Sequence, residues 1–294
     1  MIEQDTALAD SVDAGDAFEL RAGALRLAVR PDLGGSVAGL WHGETPILRS
    51  SEPALLASAA DAAMFPLVPY ADRLGYRRFR WRGRDHTTGA NVAGSPHSLH
   101  GVGWQRPWRI VSSSALELVL ALQHEGDGDW PFAFSARQYL ALDPTSLSAR
   151  LQIVNDDAGE QPVGLGWHAS FVQRPRSRMH VEVSHRWESD TTLLPTRKVA
   201  QPGIDSDLSH LAFDHAFEGW RGPARLRDER FSLRLASSLT MLAVATPQGD
   251  HFSLAPASHV SNAIHMADPL AHGIVALAPG ATMEASLRLD IAVV

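Results

Sequence analysis

Apolar residues alternate with polar ones along much of this chain, and this alternation limits the possible folds more than any other feature. The residues Leu116, Leu118, Leu120 and Leu122 fall on one side of an extended segment. The same period of two runs through the ranges 132–137, 231–235 and 286–293. Successive side chains of a strand point to opposite faces, so this pattern indicates antiparallel sheets with one face on a core.

Turn residues separate the alternating segments. Gly126-Asp127-Gly128-Asp129 precedes one of them, and Pro279-Gly280 precedes the last. Repeated strands between such turns favour a β-sandwich. Only the alanine-rich segment from Leu55 to Ala63 predicts a short helix. We therefore expect an all-β protein, with a flexible N-terminal arm at residues 1–19 and a single β-sandwich domain at residues 20–294.

Composition narrows the possible partners. The net charge of −7 argues against nucleic acid as a partner, and the absence of cysteine excludes disulfides, thiolate catalysis and Cys-ligated zinc. The first residues are polar and acidic, unlike a signal peptide, and no apolar run approaches the roughly 18 residues of a membrane span. We expect a cytoplasmic protein that does not bind a membrane; the sequence leaves its oligomeric state open.

Several histidines lie beside Gly, Trp or Pro, where backbone can approach a ligand closely. The segments are Pro96-His97-Ser98-Leu99-His100-Gly101, Gly166-Trp167-His168, Asp214-His215 and Ser258-His259. Histidine can donate or accept a proton near neutral pH. A histidine in a strand is more often a hydrogen-bonded structural residue, and both readings stay open here. His97 and His100 have no third ligand at a convincing spacing, so no metal site is predicted.

Arginines alternate with aromatic residues and glycine from Arg78 to Arg84. The pattern favours a strand with a charged face toward solvent. A positive surface for a sugar phosphate or a uronate is the alternative.

Taken in order, these segments resemble the aldose 1-epimerase (galactose mutarotase) family. Pro69-Tyr70-Ala71-Asp72-Arg73-Leu74 is similar to the family's Pro-Tyr-x-Asn-Arg-Ile segment, and Leu99-His100-Gly101 and the region 164–171 are similar to its two His motifs. Further similar segments are Asp129-Trp130-Pro131-Phe132, Phe213 to Trp220, Leu254 to His265 and Leu277 to Gly280. The resemblance runs from about Leu25 to the C-terminus.

The resemblance implies an antiparallel β-supersandwich of the galactose mutarotase type with a cleft for a small sugar and no cofactor. It implies an isomerase that interconverts the α and β anomers of a free aldose by acid–base ring opening. Carried over by position, His168 is the general acid at the ring oxygen, and His100 binds the sugar and polarises that oxygen. Arg73 and Asp214 are expected to bind sugar hydroxyls, and Trp130 to form a wall of the cleft.

One departure from the family pattern concerns its base, the Glu of Glu-Pro-x-Ser-His. This chain has Ala255 there, followed by Pro256-Ala257-Ser258-His259, and Asp72 stands where the family usually has Asn. An alanine cannot take a proton, so His259 or, less favourably, Asp72 could serve as the base. A slow or altered isomerase, and a carbohydrate-binding or sensing protein without efficient catalysis, remain open. A lyase or hydrolase on a related scaffold has little support, because the chain has only three tyrosines and no evident pair of carboxylates.

Overall fold

The computed structural model describes residues 17–247 and 249–294, and strands dominate this part of the chain. The first half contains β1 (Phe18–Ala22), β2 (Leu25–Arg30), β3 (Ser36–His42), β4 (Thr45–Pro46), β5 (Met64–Leu67), β6 (Arg73–Leu74), β7 (Arg78–Trp81), β8 (Arg84–Thr87), β9 (Ser98–Leu99), β10 (Arg109–Ser113), β11 (Glu117–His124), β12 (Phe134–Asp143) and β13 (Ser146–Asn155). The second half contains β14 (Gln161–Val163), β15 (Gly166–Val172), β16 (Arg178–Glu182), β17 (His185–Ser189), β18 (Pro195–Ala200), β19 (Ile204–Asp207), β20 (Asp214–Glu218), β21 (Arg221–Arg227), β22 (Phe231–Ser237), β23 (Met241–Ala245), β24 (His251–Ala257), β25 (Val275–Leu277) and β26 (Thr282–Val293).

Within the described residues, two large antiparallel sheets form the body of the molecule. The first has 11 strands in the order β1-β2-β3-β5-β15-β24-β23-β20-β17-β18, with β4 beside β3. The second has nine strands in the order β10-β11-β12-β13-β26-β22-β21-β16-β19. Two-stranded sheets are formed by β14 with β25, β6 with β9, and β7 with β8. Short 3₁₀ turns span Pro53–Leu55, Ala59–Asp61, Gly75–Arg77, Gly103–Gln105, Leu208–His210 and Ala263–His265.

A continuous core fills the space between the two large sheets. The first sheet contributes the fully buried Trp167 and Phe171 of β15 and Phe217 of β20 to this core. The second sheet contributes Leu140 and Leu151. Because side chains alternate along a strand, the residues next to Trp167, Phe171 and Phe217 point to the opposite face of the first sheet. That opposite face is partly covered by a smaller apolar cluster that includes Phe65, Leu67 and Trp104. The antiparallel all-β fold expected from the sequence is confirmed.

Two local predictions were wrong. The segment from Leu55 to Ala63 is not a helix but holds the end of one 3₁₀ turn and the whole of another, three residues each. The arginine segment is not a single strand, because Arg82 and Gly83, both with positive φ, reverse the chain between β7 and β8. The exposed Arg80 pairs with Asp85, which agrees with the prediction of a charged solvent face.

Most of the predicted arm at residues 1–19 lies outside the described residues. The first strand begins at Phe18, two residues before the expected domain boundary at residue 20. No helix in the described part of the chain is long and apolar enough to cross a membrane.

Candidate functional site

One cleft on the outer face of the first sheet collects most of the residues singled out from the sequence. Its volume is about 230 Å³. This is below the roughly 300–1,000 Å³ of pockets for drug-sized ligands, so it suits a smaller molecule. The lining residues are Leu67, Ala71, Asp72, Arg73, Leu99, His100, His168, Asp214, Ala216, Met241, Leu242, Ala243, Ala245, Ser253, Ala255, Ala257, His259 and Ser261.

His168 reaches the cleft because of the alternation in β15. Trp167 and Ala169 turn into the core, so His168 between them points to the outer face. Its ring stacks on Phe65, with ring centroids 4.9 Å apart and planes 7° from parallel. Its Nδ1 is buried and has no hydrogen-bond partner among the described residues. An unpaired buried N–H is costly, so this environment favours the tautomer with the proton on Nε2.

His100 and Asp72 are fixed by two loops that bind each other. The backbone N–H of His100 donates to the Asp72 carbonyl at 2.9 Å, and the Asp72 N–H donates to His100 Nδ1 at 3.0 Å. The second bond leaves the proton of a neutral His100 on Nε2. Both residues have positive φ, 58° for Asp72 and 63° for His100. Only glycine fits at position 101, directly after His100, because a Cβ there would lie 2.4 Å from the Val68 carbonyl oxygen.

The cleft histidines His100 and His168 are neutral at pH 7. Burial, and to a lesser degree the charge of Arg73, lowers the pKa of His100 to about 3. The pKa of His168 is lowered to about 3, mainly by burial and to a lesser degree by the nearby His100. The Asp72 carboxylate acts in the opposite direction. The two rings lie 6.0 Å apart, so two neutral N–H donors are available at one end of the cleft.

The carboxylates of Asp72 and Asp214 and the guanidinium of Arg73, which the sequence also identified, line the same cleft. Asp72 Oδ1 accepts a hydrogen bond from Arg73 Nη1 at 3.0 Å, and both side chains are 20% exposed. Asp214 begins β20 and is exposed at the mouth of the cleft. A carboxylate can accept a proton, so Asp72 is chemically suited to act as a general base.

His259 also lines the cleft, but both of its ring nitrogens bind backbone. Nδ1 donates to the Val260 carbonyl oxygen at 2.8 Å, and Nε2 accepts from the Ala71 N–H at 3.0 Å. Burial lowers its pKa. The lone pair that a general base would need is therefore already used, and His259 joins the Asp72 loop to the end of β24.

Ala255 occupies the position beside His168 on the neighbouring strand. The pairs Gly166–Ala257 and Ala169–Leu254 place Ala255 opposite His168. The resemblance implied a glutamate at this position, and the cleft has a methyl group there instead.

The structure does not bring Trp130 or His97 to this cleft. Trp130 is 1% exposed and stacks on Phe79 in the core, with centroids 5.4 Å apart. His97 accepts from the Tyr76 N–H and bonds the Thr192 carbonyl oxygen, both at 3.0 Å. No group of three or more potential metal ligands occurs among residues 17–247 and 249–294.

Several lining residues were not found by sequence reasoning. Met241, Ala243 and Ser253 come from β23 and β24, and Ser261 follows the His259 motif. Their strands alternate in the ordinary way, and only the pairing between distant strands turns these side chains toward the cleft. Ser261 was the one with a local signal, since it lies two residues after a motif histidine.

Fold, site and sequence together place the chain in a family. The sequence model of aldose 1-epimerase matches residues 16–290, and the chain belongs to the aldose 1-epimerase family. It is similar to the uncharacterized protein YphB of Escherichia coli strain K12, with 32% identity over 293 residues, covering 93% of this chain and 98% of that protein.

Solved structures agree with this assignment. A crystal structure from Escherichia coli K12, provisionally named an aldose 1-epimerase, is similar at 28% identity with a TM-score of 0.86, covering 95% of this chain and 99% of that one. A galactose mutarotase-like protein from Clostridium acetobutylicum shares the fold at 17% identity and TM-score 0.82, covering 95% of each chain. A galactose 1-epimerase from Lactobacillus acidophilus NCFM shares it at 14% identity and TM-score 0.77, covering 97% of each chain.

Proposed function

We propose that this protein binds a free aldose in the cleft and interconverts its α and β anomers, with Asp72 as the general base. The observation that carries the proposal is the convergence of the Asp72 carboxylate, His100 and His168 on one small cleft. Ring opening needs a group that accepts the O1 proton. It also needs groups that stabilise the negative charge developing on the ring oxygen, O5, as the C1–O5 bond breaks. Asp72 fits the first role, and the two histidines fit the second.

The proposed reaction conserves its protons. Asp72 removes the O1 proton while the C1–O5 bond breaks, and the bonding electrons pass to O5. The Nε2–H groups of His100 and His168 donate hydrogen bonds to the developing negative charge, a form of stabilisation typically worth about 10²–10³-fold. The proton on Asp72 then passes to O5. Rotation about C1–C2 presents the other face of the aldehyde, and the same steps in reverse close the ring.

This scheme gives His168 a different chemical role from the general acid implied by the resemblance. A histidine whose pKa is lowered to about 3 carries no proton to donate as an imidazolium at pH 7. A neutral imidazole still donates a hydrogen bond through Nε2, so it can stabilise O5 without transferring the proton. Asp72 replaces His259 as the preferred base because both His259 nitrogens are bound to backbone.

Anomer exchange on a panel of aldoses tests the proposal. Pure α anomers of galactose, glucose, arabinose and fucose, and of uronic acids, are dissolved with and without the protein, and NMR follows their conversion. We expect acceleration over the buffer blank for at least one sugar. Asp72→Asn, which keeps the size of the side chain, should lose about 10²–10⁴-fold of the acceleration. An equally active Asp72→Asn variant would exclude Asp72 as the base.

A sugar-binding protein without catalysis is the second candidate, and the methyl group of Ala255 beside His168 favours it. In that case the cleft holds a sugar but lacks the carboxylate that the family places there. Chemical-shift changes or line broadening of a sugar, with anomer exchange equal to the buffer blank, would identify this function.

A further inference from the structure

Asn91 does not line the cleft, but its side chain binds the backbone on both sides of His100. Its Oδ1 accepts a hydrogen bond from the Leu99 N–H at 2.8 Å. Its Nδ2 donates to the Leu99 carbonyl oxygen at 2.6 Å and to the Gly101 carbonyl oxygen at 3.2 Å. An N–H can only donate, so the bond from Leu99 fixes which end of the Asn91 amide faces the chain. One side chain therefore brackets this cleft histidine with three hydrogen bonds.

The backbone of Leu99 needs such a partner because strand β9 is short and has an open edge. Leu99 lies opposite Arg73 of β6, and the N–H of the next residue, His100, donates to the Asp72 carbonyl oxygen. Successive residues of an antiparallel strand direct their N–H and C=O groups to opposite edges, so those of Leu99 point away from β6. Among the described residues this sheet has two strands, β6 and β9. Asn91 takes the place of a third strand there.

His100 depends on this support because its backbone is strained. Its φ of 63° is left-handed, which is costly for a residue with a side chain and persists where surrounding contacts hold it. The ring position follows from this conformation, since Nδ1 accepts the Asp72 N–H at 3.0 Å. Trp104 Nε1 also donates to the carbonyl oxygens on both sides of His100, at 3.2 Å each. An indole N–H is a donor only, so it cannot replace the bond that Asn91 accepts from Leu99.

We propose that Asn91 is a positioning residue, which holds His100, and through it the Asp72 loop, in the geometry that ring opening needs. The effect on the rate rests on the proposed function, whereas the effect on the His100 ring can be measured without any sugar. A displacement of about 1 Å at a catalytic group can cost about 10²-fold in rate. We therefore expect loss of the Asn91 bonds to slow anomer exchange between about 10-fold and about 100-fold.

Two substitutions of Asn91 test the effect on the rate. Asn91→Asp keeps the size and the acceptor for the Leu99 N–H, but it turns the donor into an oxygen that faces two carbonyl oxygens. Asn91→Ala removes all three bonds. NMR measures anomer exchange at several concentrations of the sugar that the unaltered protein converts fastest. In both variants kcat should fall at least about tenfold, and by a larger factor than KM changes, because the displaced groups act on the transition state.

Gln105→Ala is the matched control in the same region. Gln105 is exposed, and its Nε2 donates to the backbone carbonyl oxygen of Asn91 at 3.0 Å. Its removal leaves the three bonds of the Asn91 side chain in place, so the rate should not change. Circular dichroism and the urea midpoint verify that all three variants fold.

The titration of the His100 ring gives a second readout that does not need a substrate. NMR follows the histidine rings from about pH 8 to about pH 4, and the His100 signals are assigned by their absence from His100→Gln. In the unaltered protein the pKa of His100 is about 3, so its ring stays neutral over most of this range. Asn91→Ala should raise that pKa by at least about one pH unit as the ring becomes exposed to water. The charges of Asp72, Arg73 and His168 are the same in both proteins, so the change reports movement of the ring.

The outcomes distinguish this proposal from the proposed function. An unchanged rate in folded Asn91→Ala overturns the positioning role and leaves the proposed function standing. A slower rate with an unchanged His100 titration also overturns it, because Asn91 then does not act through His100. If the unaltered protein accelerates no sugar, the proposed function fails and the catalytic part of this inference fails with it. The titration still decides in that case whether Asn91 holds the His100 ring.

Discussion

At the scale of single residues, the central question is where the cleft holds its carboxylate. Position 255, where the family resemblance implies a glutamate, is Ala255 on β24, and a carboxylate is present instead at Asp72 on a neighbouring loop. Both positions border the same cleft as His168. A base can therefore act from either side if it reaches the O1 hydroxyl, because general-base catalysis depends on geometry before it depends on residue type.

Moving the carboxylate should move the activity. Asp72→Asn removes the proposed base, and adding Ala255→Glu to that variant restores a carboxylate beside His168. We expect the double variant to recover at least about tenfold of the anomer exchange lost in Asp72→Asn, measured by NMR against the buffer blank. Asp214→Asn, at the rim, is the control and should change the rate much less. A double variant that folds and binds sugar but stays inactive would contradict this picture of the cleft.

The role of His168 can be separated by two substitutions. Glutamine keeps an N–H donor but cannot transfer a proton, and alanine keeps neither. If the imidazole acts as a hydrogen-bond donor, His168→Ala should lose about 10²–10³-fold in rate, and His168→Gln should recover part of that loss. Equal rates for the two variants, at the level of the buffer blank, would mean that the imidazole must itself transfer the proton.

The candidate site was largely readable from the sequence, but the environment of each side chain was not. His100, His168, Arg73, Asp72, Asp214 and His259 were all found from their motifs, and all six line the cleft. Trp130 was expected there by carry-over from the family resemblance, yet its ring packs in the core. The backbone bonds that occupy His259 come from Ala71 and Val260, and the bond from Ala71 joins segments 188 residues apart. Local sequence carries no signal for such a contact.

At the scale of elements, alternation predicted the strands well and their partners not at all. The buried residues of β11, β22 and β26 fall on the expected period of two. Alternation gives the faces of a strand but not its neighbour, so the pairing of β15 with β5 and β24 could not be derived. The segment from Leu55 to Ala63 failed as a helix because the high helix propensity of alanine is a weak preference that tertiary context overrides.

His259 gives a prediction at the same scale, since it ties the Asp72 loop to the end of β24. His259→Leu leaves the Ala71 N–H and the Val260 carbonyl without these bonds in a buried site. We expect a loss of about 1–3 kcal/mol in the free energy of unfolding, measured by urea denaturation. Asp72→Asn serves as the comparison and should keep a midpoint close to that of the unaltered protein. A His259→Leu variant with unchanged stability and no anomer exchange would instead support His259 as the base.

At the scale of the whole molecule, the buried cleft histidines His100 and His168 make stability depend on pH. The pKa values of His100 and His168 are about 3 in the folded protein, while unfolded histidines titrate near 6.5. Between these values the unfolded chain binds more protons than the folded one. The free energy of unfolding therefore falls as the pH drops from about 6.5 toward about 3, and each histidine contributes up to about 1.4 kcal/mol per pH unit.

Urea unfolding at about pH 7 and about pH 4.5 measures this dependence, and a variant isolates its source. Asp143 and other carboxylates with lowered pKa values also destabilise the fold in acid, so the slope of the unaltered protein alone does not identify the histidines. His100→Gln removes one titrating group, and its side-chain oxygen can still accept the Asp72 N–H. It should lose less stability over this interval than the unaltered protein does. Equal losses would mean that the pKa of His100 is not lowered in the folded state. The cleft would then hold an imidazolium in mild acid, and the histidines would be the proton donors at O5.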